Sequence, residues 1–145
     1  LRTPTPGTTN TASLPQYTAW AAAEFPPGTP SSDTALHSDP DRDGLDNLAE
    51  FAFKLPPLTP GGTPLSILKS PAGSPLQCRF AIRNDVPGLT AAVGVSSDAQ
   101  LWDESESRIE RLTETPLPDG TTEVVARLQL SPATLRAFLR IVISL

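Results

Sequence analysis

The chain has 145 residues and a formal net charge of −5, from 16 acidic against 11 basic side chains, so a polyanion is repelled overall and nucleic acid is not an expected partner. With 38 % hydrophobic residues, 17 prolines and 9 glycines, it suits short strands and many turns better than long helices. A chain of this length buries roughly two thirds of its unfolded surface, enough for one ordinary core, and no run of about 18 apolar residues offers insertion into a membrane.

Residues 1–12 are rich in Thr, Pro and Gly without apolar periodicity, the composition of a linker or arm. No methionine occurs anywhere, Leu1 included, and no signal peptide is present, so a processed chain or an excised piece of a longer protein is expected. Ser13 can cap a short helix with Pro15 in its first turn, which carries Leu14, Tyr17, Trp20, Ala21 and Phe25 to one side until Pro26-Pro27-Gly28 ends it.

Residues 39–50 read Asp-Pro-Asp-Arg-Asp-Gly-Leu-Asp-Asn-Leu-Ala-Glu, which puts carboxylates at loop positions 1, 3, 5 and 12 and glycine at position 6. A hard cation takes oxygen ligands, and short Asp side chains at alternate positions can turn inward around one point. The spacing therefore predicts an EF-hand-like calcium loop with Asp39, Asp41 and Asp43 as ligands. Leu45 supplies its backbone carbonyl, Asn47 reaches the ion directly or through water, and Glu50 closes the shell as a bidentate ligand. Gly44 permits the reversal that a Cβ would obstruct. Like charges this close repel unless a cation compensates them. From about Leu45 to Lys54, residues Leu45, Leu48, Ala49, Ala52 and Phe53 follow helical spacing, so Glu50 projects from a helix back to the ion. Calcium would then set the angle at which that helix leaves the loop.

Beyond Gly61-Gly62 the apolar period becomes two. Strands are predicted at 65–69, 76–83, 89–96, 108–112, 121–130 and 137–145, separated by Pro, Gly, Asn and Asp clusters. The fifth is clearest, with Val124, Ala126, Leu128 and Leu130 on one face. Ser131-Pro132 is read as the start of a single helical turn. Cys78, the lone cysteine, is predicted to be core, on the inward face with Leu76, Phe80 and Ile82. The arginines Arg79, Arg83, Arg108, Arg111, Arg127, Arg136 and Arg140 are scattered singly and read as solvated strand faces.

Catalysis is not expected. His37 is the only histidine, and there is no Gly-x-Ser-x-Gly elbow, phosphate-binding glycine loop, His-Glu-x-x-His or cysteine cluster. His37 reads instead as an exposed turn residue or a loop-bracing hydrogen-bonder. Trp102 is the residue best placed to stack on a sugar, against the plainer reading that it plugs the end of the sandwich.

The order Tyr17-Thr18-Ala19-Trp20, Phe25-Pro26, the segment from Asp39 to Phe53, Ser97-Asp98, Leu101-Trp102 and Phe138-Leu139-Arg140-Ile141 resembles a C-terminal module of large secreted or surface proteins of Verrucomicrobia and related bacteria, over about residues 17–145. The calcium segment is also similar to the single loops of dockerins and of thrombospondin type 3 repeats, with leucine at position 7 as in the latter. Dockerins carry two such loops and this chain has one. The resemblance implies an extracellular or cell-surface, non-catalytic terminal module attached to varied upstream domains.

The sequence thus predicts a mainly β protein: a β-sandwich of about six or more strands over residues 61–145, with a helix, calcium loop and helix appendage over 13–60 and a linker or arm over 1–12. Its expected role is a structural or assembly module in which calcium clamps the appendage onto the sandwich, with upstream domains or neighbouring copies of an extracellular assembly as partners. The alternatives are a polysaccharide-binding module using Trp102 and a self-assembling surface-layer or filament subunit.

Overall fold

The computed structural model describes residues 14–68, 75–103, 109–130 and 137–145. The predicted arm at 1–12, the cap Ser13, Arg108, Arg136 and the Ser131-Pro132 turn lie outside them.

Two helices form where the periodicity places them, α1 over Leu14–Glu24 and α2 over Asn47–Phe53. Helix α2 is shorter than predicted because Asp46 is already its N-cap: its backbone is extended, and its carboxylate accepts the Ala49 N–H, satisfying one of the donors a helix start leaves open. Lys54 ends the helix in the left-handed region, at φ 57°, with its N–H returned to the Glu50 and Phe51 carbonyls. The buried face differs from the predicted one. It carries Asn47, Leu48, Glu50, Phe51 and Ala52, whereas Phe53 is only half-buried.

The remaining elements are β1 (Ser66–Leu68), β2 (Gln77–Arg83), β3 (Thr90–Ser96), β4 (Ile109–Pro116), β5 (Thr121–Leu128) and β6 (Phe138–Ser144). The protein is mainly β, with these six strands in two antiparallel sheets, ordered β1-β2-β5-β4 and β3-β6, beside the two short helices. This is the β-sandwich-like architecture with a helical appendage that the alternating patterns predicted.

The described chain divides into two compact units. The first comprises the described part of Leu1–Gly62 with Asp85–Thr90 and Ile143–Leu145. Its core gathers Tyr17, Ala21, Phe25, Leu48, Phe51 and Val86, against which Trp20, Leu36, Leu89, Ile143 and Leu145 pack. Phe51 is its centre, fully buried, with ring centroids 5.4 Å from Tyr17 and 5.5 Å from Trp20 in edge-on geometries. Helix α2 therefore packs on the turn after β2 and on the chain's last residues as well as on α1.

The second unit comprises Thr63–Asn84 and Ala91–Val142. Strand β5 lies at the centre of the larger sheet, pairing Cys78 with Ala126 and Phe80 with Val124 in β2, and Ile109 with Leu128 in β4. These inward side chains are at most 7 % exposed, and Cys78 is a free, buried thiol that burial pushes above its ordinary pKa. On the outer face, Arg79 pairs with Glu123 and Arg127 with Glu110. Arg111 is exposed, in keeping with the solvated-face reading, and also reaches a neighbouring strand. Its register partner is the fully buried Ala126, and its Nη2 donates across to the Ala91 carbonyl of β3. An inward-pointing charge and a register shift between Arg111 and Thr113 both blunt β4 as an exposed edge.

Candidate metal centre

The acidic loop folds around its own amides. The Asp43 N–H is shared between Asp39 Oδ1 and Asp41 Oδ1, each at 3.2 Å, and the Gly44 N–H donates to Asp39 Oδ2 at 3.0 Å. Leu45 N–H donates to Asp43 Oδ1 at 2.9 Å. Gly44 sits at φ 96° with open space where a Cβ would stand, so glycine is required there by backbone conformation alone. Arg42 adopts φ 61°, a left-handed value uncommon for a side chain of its size.

This wrapping converges Asp39, Asp41 and Asp43, each able to offer one carboxylate oxygen within 4.8 Å of the others, a group that could hold a metal ion. Two like charges at about 4 Å repel by about 1 to 4 kcal/mol, depending on solvent screening. Asp41 shows the consequence: desolvation raises its pKa, the nearby Asp43 and Asp39 charges raise it further, and Oδ2 is buried with no hydrogen-bond partner among the described residues.

Glu50 stands out among the described residues as a buried carboxylate. It is 1 % exposed, and neither carboxylate oxygen has a hydrogen-bond partner among the described residues. Burial, then the charges of Asp41, Asp43, Asp39 and Asp46, push its pKa up to about 8. It is not in the group defined by mutual 4.8 Å approach. Oxygens on opposite sides of a calcium ion, each bound at about 2.5 Å, lie up to about 5 Å apart, so a ligand closing the far side falls outside such a group.

Asn47 is fully buried, and its amide holds the loop in place. Its Nδ2 donates to the carbonyls of Asp33 at 2.7 Å and Ala35 at 2.8 Å, which pins the chain before the loop to α2. Only Oδ1, unpartnered among the described residues, is left to face a ligand or a water. Two further residues, Asp46 and Gly61, take part at the site without having been predicted there. Asp46, whose position before a helical apolar run is an N-cap signal, caps α2 and accepts a 2.9 Å contact from His37 Nδ1. His37 is 75 % exposed, in keeping with a loop-bracing turn residue. Gly61 donates its N–H to Asp43 Oδ2 at 3.0 Å, a link 18 residues long that no local pattern announces.

Trp102 belongs to the second unit. It is half-buried, beside Asp103, which bridges to Val95 of β3, and the Arg140 guanidinium stands 4.4 Å from its ring centroid. One indole face is thus covered by a cation rather than open for stacking.

No family model, curated protein or solved structure matches this chain. Among the described residues, no helix is long and apolar enough to cross a membrane.

Proposed function

We propose that residues 39–50 bind calcium and that the chain is a non-catalytic structural module whose metal-held helix forms part of a folded core. The observation that carries this reading is Glu50, a buried carboxylate with two oxygens that lack partners among the described residues and a pKa raised by burial and by three converging aspartates. A buried carboxyl without a charged partner is neutralised by a proton, as the raised pKa of Glu50 indicates, unless a cation takes the proton's place. A divalent cation supplies that partner, and an all-oxygen donor set without His or Cys favours calcium over zinc. In this reading Asp39, Asp41, Asp43 and Glu50 bind through side chains, Leu45 through its carbonyl, and Asn47 through Oδ1 or a water. A single loop without a partner loop suits a clamp better than a sensor. Phe51 and Leu48 flank the ligands on α2 and sit in the aromatic core, so loading the ion and packing the helix become one event.

An ordinary setting for such a clamp is outside the cell, where calcium is abundant, as the resemblance to terminal modules of secreted and surface proteins also suggests. Calorimetric titration of the metal-free chain tests the reading. The expected result is one site with a dissociation constant on the order of 10⁻⁴ M or tighter, weakened at least tenfold in Glu50→Gln with the circular dichroism of the fold retained. Absence of saturable calcium binding would remove the proposal.

A further inference from the structure

The sequence contains two Asp-Gly steps, Asp43-Gly44 in the acidic loop and Asp119-Gly120 in the turn between β4 and β5. Both glycines have positive φ, 96° and 81°. Such a step carries a chemistry of its own, because glycine has no side chain to shield its nitrogen from the carboxyl beside it. The Gly44 nitrogen can add to Cγ of Asp43, the N–H proton and the carboxyl hydroxyl departing together as one water, which closes a five-membered succinimide. Water then opens the ring. Attack at Cγ restores aspartate, whereas attack at the former main-chain carbonyl breaks the old Asp–Gly bond and leaves isoaspartate, joined to Gly44 through Cβ and Cγ. One water leaves and one returns, with no change of oxidation state.

The two steps are restrained differently. At Asp119 the turn itself suffices: Oδ1 accepts the Thr121 N–H at 2.9 Å and the Thr121 hydroxyl at 2.6 Å, and the Gly120 N–H donates to the Leu117 carbonyl at 3.2 Å. None of these bonds involves a metal ligand. At Asp43, Oδ1 accepts the Leu45 N–H and Oδ2 the Gly61 N–H, while the Gly44 N–H is taken up by Asp39 Oδ2. Ring closure needs all three bonds to open, since the carboxyl must turn away from Leu45 and Gly61 toward its own neighbour. These bonds belong to a group of three converging carboxylates, whose mutual repulsion favours opening of the loop until a cation compensates it. Gly44 is exposed, so water reaches the step.

We propose, resting on the calcium reading of the same loop, that Asp43-Gly44 is a calcium-guarded modification site: in the metal-free chain Asp43 isomerises through a succinimide to isoaspartate, and the bound ion prevents this by holding the loop closed. The isomer routes the main chain through Cβ and leaves a carboxylate directly on Cα, so its oxygens no longer meet those of Asp39 and Asp41. A chain left unloaded thereby forfeits the site it needs to reload.

The test holds the full chain at neutral pH for several weeks with excess calcium or with chelator. Isoaspartate at positions 43 and 119 is followed by isoaspartyl-methyltransferase labelling and electron-transfer peptide mapping, and calcium binding is titrated by calorimetry before and after. Calcium should slow isomerisation at 43 at least tenfold and leave the rate at 119 unchanged, and the chelated chain should lose calcium stoichiometry in step with the fraction isomerised. Glu50→Gln, at a calcium concentration that fills the parent site but not the variant's, should isomerise at 43 at the chelated rate. A fresh chain that binds calcium yet isomerises at 43 equally with and without it, or gains no isoaspartate there under chelator, overturns the proposal and leaves the calcium reading standing. A fresh chain that binds no calcium removes both.

Discussion

The two units of this chain handle charge in opposite ways. In the strand-bearing unit the core is neutral: Cys78, Phe80, Val124, Ala126 and Leu128 are buried without an ionised group among them, and the outer charges lie in cross-strand pairs that the solvent screens. In the helical unit a carboxylate is buried on α2 next to Phe51 of the aromatic core, and the charges of three converging aspartates raise its pKa. The first arrangement buries no carboxylate among the described residues, whereas the second buries Glu50 with no described side chain to neutralise it. A protein that buries an uncompensated carboxylate ties the stability of that region to whatever compensates it.

The sharpest way to break this contrast is to remove the centre of the helical core. Phe51→Ala should cost about 3 to 5 kcal/mol and flatten the near-ultraviolet dichroism of Tyr17 and Trp20, while a loss below about 1 kcal/mol would mean that α2 is not held by its apolar face. Calcium comes next. A hundredfold excess over its dissociation constant should add about 2.7 kcal/mol, read by amide hydrogen exchange as slowed opening across Leu36–Phe53 with little change in Gln77–Arg83 and Thr121–Leu128. Equal slowing in both regions would show instead that the two units open together. The smallest effect belongs to Asp98 in the strand-bearing unit. Its Oδ1 accepts the N–H groups of Gln100 and Leu101 and the Ser96 hydroxyl, and these bonds, the one from Leu101 foremost, hold its carboxyl below the usual range. A depressed folded value means that its contribution is present above the unfolded pKa of about 3.9 and fades as pH falls through the lower folded value. Exchange at Gln100 and Leu101 should therefore quicken only in that acidic window, and Asp98→Asn should remove the pH dependence without altering the β2–β5 pairing.

Much of this was legible one residue at a time. The alternation in β5 set its inward face because a strand's side chains can only alternate, and the Asp-x-Asp-x-Asp-Gly run set its turn because short carboxylates cap nearby amides wherever they occur. The errors arose where a side chain's fate depended on something distant. Phe53 matched the helical spacing as well as Phe51 does, but the aromatic pocket of Tyr17 and Trp20 receives Phe51. Arg111 is exposed as its charge implied, but its bond to the Ala91 carbonyl, 20 residues away, is nowhere written in the local alternation.

By itself, then, the sequence determined the strands, the helices and the convergence of Asp39, Asp41 and Asp43, since each follows from backbone geometry and bonding within a few residues. The tertiary structure alone decided that Glu50 is buried and orphaned, that Gly61 is fastened to Asp43, and that the residues after β2 and at the C-terminus complete the helical core. Burial is a property of what the rest of the chain brings to a residue. The force that raises the pKa of Glu50, desolvation of a carboxylate, exists only once that packing is in place.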